Sequence, residues 1–356
     1  MRIGDCIRHV DIRNRDMISD KPMGINIDKF FMPSVANVIG TDLSNYKVVK
    51  KNQFACNLMH VGRDERLPIA ILEQDAPIIV SPAYYVFEIK PDISLMPSFL
   101  MLWFKRPEFD RNAWFYTDAD VRGGLDRDSF LDMRIPIPSI DEQCRIVAEH
   151  QAVEKRIATN EALIAQLEET AQAIYKKMFV DDVDTENLTE GWRKGKMLDL
   201  FELQRGFDLP HHDRNEGPYP IYASNGITGF HNEYRVKAPG VVTGRSGSIG
   251  EVFYVSEDFW PLNTSLWVKD FKKSTPYFVY YTLKNTDLNS LVGGSSAVPT
   301  LNRNDVNILD TIIPPYSSML QFDERCAAIE NYKRILYREI ATLTDFKVSL
   351  LAKLTH

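Results

Sequence analysis

Two stretches of the chain space their apolar residues at alternating steps of four and three, the period of a helix whose seam faces a partner helix. In residues 139–180 the seam runs Ile146, His150, Val153, Ile157, Asn160, Ile164, Leu167, Ala171, Ile174 and Met178. In residues 316–356 it runs Phe322, Cys326, Ile329, Lys333, Leu336, Ile340, Leu343, Lys347, Leu350 and Leu354. Neither stretch contains glycine or proline, and prolines stand just ahead of each (Pro136 and Pro138; Pro314 and Pro315), where they end a preceding strand or loop. Each stretch is predicted as one long helix. Two seams of about five heptads, matched in register, are better satisfied by each other than by separate cores. His150, Asn160, Lys333 and Lys347 at seam positions would fix register and orientation at some cost in stability.

The match extends beyond the helices. The segment LDRDSFLDMRIPIP opens at Leu125 and LNRNDVNILDTIIP opens at Leu301, an offset of 176 residues. Leu125, Arg127, Phe130, Met133, Ile137 and Pro138 fall on Leu301, Arg303, Val306, Leu309, Ile313 and Pro314, and the same offset carries through both helices without a gap. A repeat of this length makes the chain two copies of one unit, a domain followed by a long helix.

The segments ahead of the helices carry short strand-like runs separated by turn residues. In the first these are YKVV (46–49), LPIAIL (67–72), PIIVSPAYYVFEI (77–89) and MRIPI (133–137), with a short helix over Pro97 to Lys105. In the second they are PYPIYA, GVVTGRSGSIGEVFYV and TSLWVKDF, with a helix near Pro276 to Lys284. The predicted class is α+β, in the order domain 1–138, helix 139–180, linker 181–194, domain 195–315, helix 316–356. If the helices lie antiparallel they form a coiled coil with pseudo-two-fold symmetry. About 35 residues of helix span roughly 50 Å, which would set the domains at opposite ends of a rod.

Length and composition agree with two ordinary domains: 356 residues, 44% hydrophobic and 26% charged, enough to bury a core in each. The four cysteines, Cys6, Cys56, Cys144 and Cys326, are far apart and show neither CxxC spacing nor disulfide density. No run approaches the roughly 18 apolar residues of a membrane span, and the N-terminal residues lack a leader pattern; a cytoplasmic protein is expected. The net charge of −7 runs against the basic footprint of a nucleic-acid partner. Its location removes the objection. Residues 141–190 hold twelve acids and five bases, a balance of −7, so the rest of the chain is neutral overall and free to carry basic faces.

The joint GGLDRDSFLDMRIPIPSIDEQCRIV, its partner GGSSAVPTLNRNDVNILDTIIPP, the strand SPAYYVFEI and the run GVVTGRSGSIGEVFYV together resemble the specificity subunits of type I restriction-modification systems. The resemblance covers nearly the whole chain. It implies two target-recognition domains, each reading one half of a split double-stranded DNA site. It also implies that the paired helices dock two adenine-methylating subunits and, in the full assembly, restriction and translocase subunits, and that the chain has no catalytic site or cofactor of its own.

Base edges are read by arginine on guanine and by asparagine or glutamine on adenine, while other polar groups grip phosphate. Polar loops at domain edges supply such residues: Asn57, His60, Arg63 and Arg66 in CNLMHVGRDERLP, and Tyr116 and Arg122 in WFYTDADVRGG. In the second half they are Arg205 and Arg214, then Asn225 and Thr228, then Arg245, Ser246 and Ser248, with Asn263, Thr264, Ser295 and Ser296 as weaker candidates. The glycines Gly244, Gly247 and Gly250 do not have dinucleotide-loop spacing, and no helix pattern follows them; a hairpin is expected there. Arg127 and Arg303, beside the helix joints, are expected to be structural or to face partner subunits.

Catalytic signatures fail on inspection. Ile313-Pro314-Pro315-Tyr316 imitates the Asn/Asp-Pro-Pro-Tyr motif of amino-methyltransferases, but isoleucine cannot hold a base amine, and its repeat mate Ile137-Pro138 occupies the same joint. No phosphate loop of the GxxxxGK[ST] type occurs. His211, His212 and Asp213 lack metal-ligand spacing. The alternative left open is a coiled-coil adaptor that assembles partner proteins without reading DNA.

Overall fold

Both seams are helical. The computed structural model describes residues 1–35, 40–59, 61–117, 123–292 and 299–355. The first long helix runs Ile140–Lys176 and widens into a π turn at Lys177–Asp181, and the second runs Tyr316–Ala352 and tightens at Lys353–Thr355. All twenty seam residues are buried or half-buried, as helix-pair packing demands. The chain divides into two units, Met1–Thr159 with Glu339–His356, and Asn160–Arg338, so each long helix contributes to both.

In the first unit Arg156 pairs with Glu339 at 2.7 Å and Lys347 lies 3.9 Å from Glu154. Partners on the second helix fall in number as those on the first rise, so the pairing is antiparallel. In the second unit buried Lys333 meets Glu168 at 2.8 Å and Glu330 at 3.0 Å. A charge at a seam position is tolerated there because it carries its own counterions.

The first unit has two four-stranded sheets. One orders the strands Ile7–His9, Tyr85–Ile89, Phe54–Cys56 and Ile69–Ile71, all antiparallel. The other orders Phe31–Pro33, Pro22–Ile25, Ile78–Val80 and Lys47–Val49, with one parallel pair, Pro22–Ile25 beside Ile78–Val80. The apolar run 77–89, which reads as one strand, is therefore two strands in different sheets, divided at residues 81–84. The MRIPI segment is likewise not a full strand: it makes one bridge, Arg134 to Arg2. Phe54, Phe87, Phe99, Phe104 and Phe130 fill the core beneath the first sheet, with Leu351 and Leu354 of the second long helix closing it.

The second unit repeats this plan. Its four-stranded sheet orders Glu202–Arg205, Ser265–Asp270, Gly240–Gly244 and Val252–Val255. Its smaller sheet orders Gly226–His231, Tyr219–Ala223 and Trp260–Pro261, again with one parallel pair. Short helices open both domains, Ile3–Cys6 and Met197–Leu200, each with an aspartate (Asp5, Asp199) accepting from the backbone N–H three residues earlier. The Arg2 to Arg134 bridge becomes a four-residue ladder in which Lys196 pairs with Asp310.

The repeated joints have a physical purpose. Asp126 and Asn302, repeat mates, cap the helices Arg127–Asp132 and Arg303–Asn307, each satisfying backbone N–H groups that the first turn leaves free. Leu125, Phe130, Leu301 and Val306 plug the two cores. The short helices Pro97–Phe104 and Pro276–Lys284 are capped in turn by the long ones. Fully buried Gln143 accepts from the Met96 N–H at 2.7 Å and donates to the Ser94 and Pro138 carbonyls. Asp323 accepts from the N–H groups of Tyr277 and Phe278, both at 3.1 Å, and from the Thr275 hydroxyl. In each unit the long helix thereby fixes a domain helix by hydrogen bonds as well as by apolar packing.

Candidate nucleic-acid interface

The loop between the third and fourth strands of the four-stranded sheet is the richest in candidate base-reading residues in both units. In the first unit it is 57–68, carrying Asn57, Arg63 and Arg66; in the second it is 245–251, carrying Arg245, Ser246 and Ser248. The chain entering the joint to the long helix pins each loop from the same side. Leu125 N–H donates to the Leu58 carbonyl at 2.8 Å, and Leu301 N–H donates to the Arg245 carbonyl at 2.7 Å.

In the first unit the pin is reinforced by two glycines in contact. Gly62 N–H donates to the Gly123 carbonyl at 2.7 Å. A Cβ on Gly123, whose φ is +55°, would lie 2.5 Å from the Gly62 Cα, so neither position accepts a side chain without backbone movement. Asn57 turns its side-chain oxygen onto the Met59 N–H. Arg63 pairs with Asp64 at 2.7 Å and Arg66 with Asp28 at 2.9 Å. Both guanidinium groups are exposed, and exposed pairs hold only about 0–1 kcal/mol, so either arginine can be exchanged onto an outside acceptor at small cost. Tyr116 is half-exposed and packs edge-on against Phe115 at 5.3 Å. His60 and Arg122 lie outside the described residues, as do Ser295 and Ser296.

Beneath this loop Lys29 and Asp110 form a buried pair at 2.6 Å. Lys29 also donates to the Leu67 carbonyl, and Asp110 accepts from the Leu67 N–H. Burial lowers the Lys29 pKa from its ordinary value, and Asp110 opposes the shift. The pair ties the 26–30 turn and the helix Pro107–Phe115 to the end of the loop.

In the second unit the structure gathers residues that are far apart in sequence. Arg205 and Arg245 both direct a guanidinium nitrogen at the Asn263 carbonyl, each at 3.4 Å. The Arg245 and Ser246 N–H groups both donate to the Thr264 carbonyl, at 2.9 and 3.2 Å. The Asn263 side chain is held in turn by Asp208. Arg205, Arg245, Ser246, Asn263 and Thr264 therefore form one polar corner, and the weaker candidates Asn263 and Thr264 are its centre. The Ser224-Asn225 hairpin turn abuts it: a Cβ on Gly247 would lie 3.3 Å from the Ser224 hydroxyl. Asn225, Thr228 and Ser248 are exposed. Arg214 stands apart from the polar corner, folded back toward the Leu209 carbonyl. The expected hairpin is present, Gly240–Gly244 pairing antiparallel with Val252–Val255.

Asp28, Asp64 and Asp208, which hold the candidate arginines and Asn263, are not suggested by sequence. Asp64 stands beside Arg63, a weak local cue, whereas the contacts of Asp28 and Asp208 depend on tertiary folding. Among the described residues no group of three or more His, Cys, Asp or Glu side chains is disposed to hold a metal ion, and no helix is long and apolar enough to cross a membrane.

Residues 189–322 match the family described as the type I restriction modification DNA specificity domain. This part of the chain is such a specificity domain. It holds the second four-stranded sheet, the Arg205–Arg245 corner and the joint to the second helix, and the first unit repeats its strand order. The whole chain has the fold of a solved type I restriction-modification S subunit from M. genitalium, with a TM-score of 0.61 at 15% identity over 99% of this chain and 95% of that one. A chain from a structure of the type I R-M system, described in terms of complex assembly and conformational transition, aligns with a TM-score of 0.56 at 15% identity over 99% and 96%. No curated protein sequence matches the chain.

Proposed function

We propose that this chain is the DNA sequence-specificity subunit of a type I restriction-modification complex and contributes recognition rather than catalysis. The observation that carries the reading is the duplicated architecture. Two domains share strand order, entry helix and pinned third-to-fourth-strand loop, yet present different side chains there: Asn57, Arg63 and Arg66 in one, Arg245, Ser246 and Ser248 in the other. A shared frame with dissimilar loops is what reading two different half-sites requires. The match of residues 189–322 to a DNA specificity domain supports it.

On this reading residues 1–138 and 195–315 each read one half of a bipartite double-stranded site. Residues 139–180 and 316–356 space the readers and dock two adenine-methylating subunits, and restriction subunits join the full assembly. The work is done in the cytoplasm. The direct test is binding of the chain, with its methyltransferase subunits, to a library of split DNA sequences. Enrichment of two short motifs at a fixed gap is expected, and absence of any preference would sink the proposal.

A further inference from the structure

Arg106 departs from the rule that buried polar groups are satisfied. It is 2% exposed, yet its Nε and Nη2 are buried with no hydrogen-bond partner. Its guanidinium stacks on Trp103, 4.2 Å from the ring centroid, which fixes its plane. The Glu108 carboxylate comes no nearer than 3.4 Å, and its Oε2 is itself left without a hydrogen bond. An unmet buried donor on a charged group is costly enough to call for an acceptor from outside.

Arg106 lines a cleft of about 480 Å³ with Arg111, Arg134 and Asn112, and with the rings of Trp103, Phe109 and Phe115. Three guanidinium groups against one carboxylate leave the cleft at +2. Arg134 is exposed and Arg111 is held only by a surface contact to Glu108 at 3.1 Å. Phe115, at the rim, is 79% exposed. Planar guanidinium forks suit the free oxygens of a phosphate, and an exposed ring beside them suits the sugar or base next to it. The helix carrying Arg111, Asn112 and Phe115 also packs against the Val61–Asp64 turn of the proposed reading loop.

We infer that this cleft clasps a phosphate of the DNA backbone next to the half-site read by the first domain. The inference rests on the proposed function and adds a contact that carries no sequence information. A phosphate clasp contributes affinity alike on all sequences, and each neutralised phosphate adds about 0.9 to the slope of log affinity against log salt.

The test is a salt titration of DNA binding by the full chain with its methyltransferase subunits, comparing wild type with Arg111→Gln/Arg134→Gln and with Arg106→Lys. The double variant changes exposed residues, so folding is retained; a melting curve checks it. It is expected to weaken binding to cognate and unrelated duplexes by the same factor, about tenfold, and to flatten the salt slope by about 1. Arg106→Lys, which keeps the charge but loses the fork, should weaken both duplexes in the same direction. An unchanged slope in the double variant overturns the clasp, as does a loss confined to the cognate site. Stabilisation by inorganic phosphate at constant ionic strength that the double variant abolishes, with DNA binding untouched, would assign the cleft to free phosphate and also overturn it. If wild type shows no split-site preference the proposed function itself fails. If that preference stands while the slope does not move, only the clasp fails.

Discussion

Replacing Asp323 by alanine should destabilise the second unit strongly, because one carboxylate holds the start of the helix Pro276–Lys284. Its loss strands the N–H groups of Tyr277 and Phe278 and the Thr275 hydroxyl together. A hydrogen bond to a charged group contributes about 1.5–3 kcal/mol net, and a helix cap about 0.5–2 kcal/mol. The contributions overlap and water reaches part of the site, so the expected cost is about 3 kcal/mol. Burial raises the Asp323 pKa above its ordinary value, with the three hydrogen bonds opposing. Charging this group in the fold is therefore itself unfavourable. Asp323→Asn keeps an acceptor without the charge and should cost about half as much. Urea unfolding followed by the fluorescence of Trp192, which packs on the same core, measures both variants. An alanine variant within about 0.5 kcal/mol of wild type would refute the view that the long helix secures the domain through this cap.

Gly123→Ala forces a Cβ to 2.5 Å from the Gly62 Cα; a loss of about 2 kcal/mol or more in urea unfolding is expected, with a broadened base preference in the first half-site only. Glu154 lies 3.6 Å from the His150 ring, the main cause of a pKa near 2, with Lys105 and Lys347 adding to it. A depressed carboxylate stabilises the fold fully above its ordinary value of 4.5 and loses that contribution as the pH falls through about 2. The melting temperature of Glu154→Gln should therefore change less over that interval than that of wild type. Arg245→Ala should weaken cognate binding by about 1–3 kcal/mol and relax the base preference in one half-site while leaving the other intact, read by selection from a DNA library. A heptad inserted near Ala165 adds about 10 Å of helix and should widen the gap between half-sites by up to about three base pairs, as mapped on methylated DNA.

The two long helices were legible because twenty seam positions at one spacing leave no competing period, and the joints because the offset of 176 residues holds through them. The domains hid the same repeat. Ile3 corresponds to Met197, an offset of 194 residues, and Pro97 corresponds to Pro276, an offset of 179. Loops of unequal length absorb the difference, so alignment without gaps fails although the strand order is kept. Strands of three to six residues carry too few positions to show a period, which is why the run 77–89 conceals a change of sheet and the helix Pro107–Phe115 goes unannounced. In the site, glycine and polar clusters marked the loops at 57–66 and 245–250. The Arg205–Arg245 corner depends on strands 40 residues apart meeting at Asn263, and no local pattern encodes that.

The central claim is that two domains of one plan read two different half-sites. It is tested most directly by exchanging residues 195–315 for the corresponding segment of an S subunit of different specificity and mapping adenine methylation in cells carrying the hybrid. The account predicts that one half of the split motif changes while the other half and the gap stay as they were. An unchanged motif, or a change in both halves at once, would contradict it.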